Sequence, residues 1–140
     1  MKKLTIAADV QKLDEVLAFV DAFLEENDCM IAEQMRIDVA VEEIFVNIAS
    51  YAYTDAPGDA EITAEMDDAT GQAVFTLADS GKPFDPLAKP DPDITLSAEE
   101  RGIGGLGIYM VKKSMDDVAY RYENGKNILS IRKKIRMDEG

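Results

Sequence analysis

The stretch Ala73–Ala78 constrains the fold most, because it is almost unbroken apolar and lies between two turn-forming segments. Such a run reads as a strand, and its lack of polar alternation predicts a central place in a sheet. Ahead of it, Ala60–Met66 alternates Ala60, Ile62, Ala64 and Met66 with Glu61, Thr63 and Glu65, so one sheet face is expected to be wet. Asp68–Gly71 supplies the turn between these two strands. Val118–Tyr122 and Asn127–Lys133 pair around Asn124-Gly125, a strong two-residue hairpin signal. Lys3–Ala8 alternates more briefly and reads as a further strand.

Three stretches carry helical periodicity. Asp9 can cap a helix presenting Val10, Leu13, Val16, Leu17, Val20, Phe23 and Leu24 on one face, ended by Asn27-Asp28. A second helix is expected from about Ile31 to Tyr53, with Ile37, Val41, Ile44, Phe45, Ile48 and Ala52 as its apolar stripe. It stops at Thr54-Asp55-Ala56-Pro57-Gly58. Leu106–Met115 reads as a third. Between strand and helix, Ser80–Gly105 is rich in glycine, proline and acidic residues, a length of loop that is functional or disordered in a compact domain. The order β-α-α-β-β-loop-α-β-β predicts an α+β chain with two layers, helices covering one face of a largely antiparallel sheet. With 140 residues, no repeat and no boundary, residues 1–140 are expected to form one domain.

Composition narrows the chemistry. A net charge of −13 repels phosphate backbones and anionic lipids, so nucleic acid and membrane are poor partners; the charge serves solubility or steers a basic protein partner. The chain has no histidine, so acid–base work falls to carboxylates, lysine or tyrosine. The single cysteine, Cys29, forms no internal disulfide and, with no signal sequence, points to a cytoplasmic setting.

Three fragments could carry function. Glu43 and Asn47 lie four apart, side by side at the rim of the second helix's apolar face, and both offer hard oxygens suited to Mg²⁺ or to an activated hydroxyl. Asp79 follows the most apolar strand and can accept from an exocyclic amine such as that of adenine, while Gly81 allows a backbone or flat ring to come close. Arg101-Gly102-Ile103-Gly104-Gly105-Leu106-Gly107 opens a helix, where converging N–H groups and the helix dipole favour phosphate and Arg101 could reach a terminal phosphate. The last has neither the Gly-Lys-Ser/Thr of a Walker A loop nor a surrounding βαβ unit. Taken singly, each fragment has a mundane reading: a solvated helix pair, a strand-end turn, a glycine-rich helix start.

Their order and spacing are more specific. Glu-x-x-x-Asn, then Asp-x-Gly, then a long segment and Gly-x-Gly-Gly-x-Gly resembles the GHKL (Bergerat) ATP-binding fold of histidine kinases, gyrase and MutL. More narrowly, Val41–Asn47, Asp79–Pro86 and Glu100–Met110 resemble the anti-sigma-factor serine/threonine kinase group, over about Leu4 to Lys134. The resemblance implies a two-layer α/β sandwich with a mostly antiparallel, mixed sheet and an ATP lid at about 82–105. It implies ATP and Mg²⁺ as cofactors, with Asn47 as metal ligand, Glu43 as general base and Glu42 as a second choice. It places Asp79 on the adenine amine, Gly81 beneath the ring, Arg101 on the γ-phosphate, and Gly102, Gly104, Gly105 and Gly107 along the phosphates. The implied activity is phosphorylation of a STAS-domain anti-sigma antagonist, with a sigma factor as a further partner and a homodimer as one assembly. A nucleotide-gated binding module without phosphotransfer is the alternative. Two departures stand out: Ile48–Tyr53 lacks the histidine and glycine common before the final tyrosine, and Gly125 is followed by Lys126-Asn127 where a threonine pair is usual. Asn127 is the candidate polar substitute there.

Overall fold

The computed structural model describes residues 1–53, 56–88 and 106–135. In chain order the elements are β1 (Lys2–Ala7), a 3₁₀ turn (Val10–Lys12), α1 (Leu13–Glu26), α2 (Ile31–Asn47), a π-helical turn (Ile48–Ala52), β2 (Asp59–Asp67), β3 (Gln72–Asp79), α3 (Leu106–Ser114), β4 (Asp117–Glu123) and β5 (Lys126–Lys134). The strands form one sheet in the order β1-β2-β3-β5-β4, with β3 in the middle as its composition requires. Every ladder is antiparallel, so among the described residues the sheet is not mixed; β2–β3 and β4–β5 are hairpins, whereas α1 and α2 separate β1 from β2, and β5 crosses over to pair with β3. Asn124 (φ 54°) and Gly125 (φ 77°) take the left-handed conformations that a tight β4–β5 turn needs.

Register assembles the core. Ile62, Leu77 and Leu129 lie in one cross-strand row, and Ala64, Phe75 and Ile131 in the next. All six are buried against Val16, Val20, Leu24, Ile37, Val41, Ile44 and Phe45 from α1 and α2. Phe23 meets Phe75 edge-on, ring centroids 5.6 Å apart at 81°. The opposite face carries Glu61, within 3.4 Å of Lys3 and 3.3 Å of Lys126, and a Thr76–Ser130 hydroxyl pair at 3.2 Å.

Two helix boundaries differ from expectation. Asp9 does cap, its carboxylate accepting from the Gln11 N–H at 2.9 Å, but it caps the 3₁₀ turn, and α1 starts at Leu13. Val10 is consequently exposed and not on the core stripe. The second helix is α-helical only to Asn47; the five residues after it form a π turn, the wider coil often found beside functional sites.

The α1–α2 seam holds a carboxyl pair. Burial first, then the Asp21 carboxyl and the charge of Glu25, push the Asp38 carboxyl up to about 7. One oxygen of each aspartate is buried without a hydrogen-bond partner among the described residues. A raised folded-state pKa means that the folded protein holds a proton the unfolded chain has released. Stability from this group is therefore full below about pH 4 and is lost as pH rises to about 7. Asp38→Asn is expected to flatten that slope and to exceed the wild type by about 1–2 kcal/mol above pH 7, an amount already reduced for solvent screening at this half-buried seam. Urea unfolding at pH 5 and pH 8 checks it; an equal difference at both values would contradict the assignment.

Candidate functional site

The sheet's inward rows end in polar residues. Past Leu77 and Leu129, the next inward positions are Asp79 and Asn127, directly opposite each other across the β3–β5 ladder. Both are buried, at 7% and 8% exposure, so both need internal partners. Asn127 Nδ2 donates to Asp79 Oδ1 at 3.0 Å and to the Lys82 carbonyl at 2.9 Å. Asn127 Oδ1 accepts from the Phe84 N–H at 3.0 Å and from the Tyr120 hydroxyl at 2.5 Å. The Gly81 N–H also donates to Asp79 Oδ1, at 2.9 Å. Both of these hydrogen bonds, one from a backbone N–H and one from a side-chain amide, fall on Oδ1, which among the described residues leaves Oδ2 as an acceptor.

This pair lines a cleft of about 460 Å³, within the usual range for small-molecule sites. Leu77 and Leu129 floor it; Ile44, Asn47, Ile48, Tyr51 and Ala52 wall one side; Ile108 and Phe84 contribute from α3 and the segment after β3. A largely apolar cleft with one carboxylate in its lining suits a heteroaromatic ring that bears an amine.

Asn47 and Asp79 therefore share the cleft. Glu43 does not line it. It lies one turn earlier on α2, half-buried, with its carboxylate against Gly107: a Cβ on that glycine would fall 1.9 Å from Glu43 Oε1. Gly107 is thus the residue that admits the Glu43 carboxylate to the first turn of α3, where partial positive charge favours an anion. Glu42 is exposed. Gly81 is held against the π turn: a Cβ there would lie 2.3 Å from the Ala52 carbonyl oxygen. Arg101, Gly102, Gly104 and Gly105, and most of the expected lid (89–105), lie outside the described residues. Because the obstruction at Gly81 is backbone, Gly81→Ala is expected to destabilise by about 1–3 kcal/mol, the cost of overpacking, read as a lowered melting temperature.

Asn127 is more than a substitute polar contact: it has four hydrogen bonds of 3.0 Å or shorter. The signal was available: Asn127 shares the inward phase of Leu129 and Ile131, so the alternation itself marks a polar residue facing the core.

This layer of helices on an antiparallel sheet, with a carboxylate in the lining of a largely apolar cleft and a helix amide beside it, defines a nucleotide-binding class. The sequence profile of the histidine kinase-like ATPase domain matches residues 6–133, and the chain belongs to that family. It is similar to the serine-protein kinase RsbW of Listeria monocytogenes serovar 1/2a, 29% identical over 97 residues, or 66% of this chain and 61% of the relative. The serine-protein kinase RsbW of Bacillus cereus (strain AH820) is 30% identical over 101 residues, 69% of this chain and 61% of the relative. The matched region thus spans about 61% of these kinases' length. Among solved structures, the RsbU and RsbW domains of a Mycobacterium tuberculosis protein superpose with a TM-score of 0.65 at 13% identity, over 96% of this chain and 33% of theirs. A blue-light activated histidine kinase of Erythrobacter litoralis gives 0.57 at 18% identity, over 77% of this chain and 32% of its own. At such identities these likenesses establish the fold. No helix among the described residues is long and apolar enough to cross a membrane.

Proposed function

We propose that this chain is an ATP-dependent protein serine/threonine kinase of the anti-sigma-factor type, acting in the cytoplasm on a STAS-domain antagonist. The observation that carries the reading is the buried Asp79–Asn127 pair, with Asp79 Oδ2 left to accept the adenine amine above Leu77 and Leu129. Asn47, in the same cleft, supplies an amide oxygen for Mg²⁺. The donor set fits a metal that arrives with phosphates: among the described residues no cluster of three or more acidic, cysteine or histidine side chains could cage one unaided. Bound Mg·ATP supplies an activated γ-phosphoryl group whose charge the metal neutralises. The chain's own residues bind, orient and move one proton. Glu43, one helical turn from Asn47, accepts the proton of the attacking hydroxyl, and Arg101 and the glycines Gly102, Gly104, Gly105 and Gly107 hold the phosphates. A net charge of −13 favours a basic partner, and sequestration of a sigma factor is the second half of the proposal.

The test is transfer of label from γ-labelled ATP, with Mg²⁺, to a STAS-domain protein, followed by phosphoamino-acid analysis. Phosphoserine or phosphothreonine is the expected product. ATP held intact in a stable complex with that protein, with no label transferred, would replace the kinase by the nucleotide-gated binding module.

A further inference from the structure

We infer that Tyr53 is a positioning residue for base recognition, holding the Asp79–Lys82 segment so that Asp79 faces the cleft. The inference rests on the ATP reading of that cleft. Tyr53 follows the π turn with extended backbone (φ −116°, ψ 111°) and is not among the residues lining the cleft. Its hydroxyl donates to the Asp59 carbonyl at 2.6 Å and accepts from the Ser80 N–H at 2.8 Å. The β2–β3 ladder has its last pair at Ala60 and Asp79, so Ser80 is the first residue beyond the sheet and the phenol takes over where the ladder stops. The neighbouring residue continues the clamp: the Ala52 carbonyl accepts the Lys82 N–H at 3.3 Å and lies against Gly81. Asp79 is thus followed by three residues anchored or packed on Ala52 and Tyr53.

Glycine makes room for this arrangement on the far side. A Cβ on Gly58 would fall 2.2–2.5 Å from three atoms of the Tyr53 ring, so the ring lies flush on the backbone that leads into β2. The phenol therefore joins the end of the second helix, the start of β2 and the end of β3 through one oxygen. That oxygen's hydrogen bonds lie at an exposed position, where water can replace them. Removing the hydroxyl should leave the fold standing and loosen the aim of the Asp79 carboxylate.

Tyr53→Phe in the full chain tests this, with ATP and inosine triphosphate, which lacks the exocyclic amine, as paired ligands in calorimetric titrations. The wild type is expected to prefer ATP by at least about tenfold. Tyr53→Phe is expected to lose about tenfold in ATP affinity while inosine triphosphate changes less than about twofold, so the preference collapses. Gly58→Ala, which drives the ring off its seat without touching the cleft, is expected to give the same collapse and serves if Tyr53→Phe does not fold. Retention of the wild-type preference in a folded variant, or equal losses for both nucleotides, would overturn the positioning role alone. A wild type that binds neither nucleotide would overturn the ATP reading and this inference with it.

Discussion

Asp79→Asn is expected to weaken ATP binding by about 100-fold while leaving the melting temperature close to wild type. The substitution keeps volume and, at Oδ1, keeps the acceptor used by the Gly81 N–H and Asn127 Nδ2. It replaces Oδ2 by an amide nitrogen that can only donate. A donor then faces the donor amine of adenine inside a buried slot, and a charge-assisted hydrogen bond of about 1.5–3 kcal/mol gives way to an unsatisfied polar contact. Calorimetric titration and thermal melts separate the two readouts. Wild-type ATP affinity in a folded Asp79→Asn protein would remove Asp79 from base recognition.

Glu43→Ala is expected to give the complementary result: ATP affinity within about threefold of wild type and phosphotransfer reduced by about 10²–10⁴-fold, the usual contribution of a positioned general base. The expectation follows from where Glu43 lies. It is outside the cleft that Asn47 and Asp79 line, one turn before Asn47, with its carboxylate against Gly107 at the start of α3. Truncation leaves the slot intact and takes away the only proton acceptor that the proposal assigns to the substrate hydroxyl. Single-turnover transfer to the acceptor protein at saturating Mg·ATP measures it. Transfer at the wild-type rate would show that another group, with the exposed Glu42 the first to examine, takes the proton.

Much of this architecture was legible in local pattern. Period-two alternation located β2 and β5, continuous apolarity placed β3 in the centre, and Asn124-Gly125 fixed the last hairpin, because each signal depends on a few adjacent residues. The Glu43–Asn47 spacing was equally local. What escaped was set by residues far apart in sequence. The Asp79–Asn127 bond depends on a register between strands 48 positions apart. Tyr53 gains its role only when β2 and β3 bring Asp59 and Ser80 to the same oxygen. The π turn was hidden for another reason: its residues fit a helical stripe, and the wider coil changes hydrogen bonding more than it changes burial. Of the two close approaches that Gly81 permits, a backbone or a flat ring, the sequence does not choose; the Ala52 backbone occupies the space where a Cβ would lie.

The central claim is that adenine occupies the cleft between the π turn and the β3–β5 rows. A ¹⁵N–¹H spectrum of the full chain, recorded as Mg·ATP is added, tests it most directly. Saturable shifts of the Asn127 side-chain amide and of the Gly81, Phe84 and Ile108 backbone amides, with Thr63, Thr76 and Ser130 on the opposite sheet face unmoved, are the predicted result. Saturable shifts confined to that opposite face, or an unchanged spectrum at millimolar nucleotide, would contradict it.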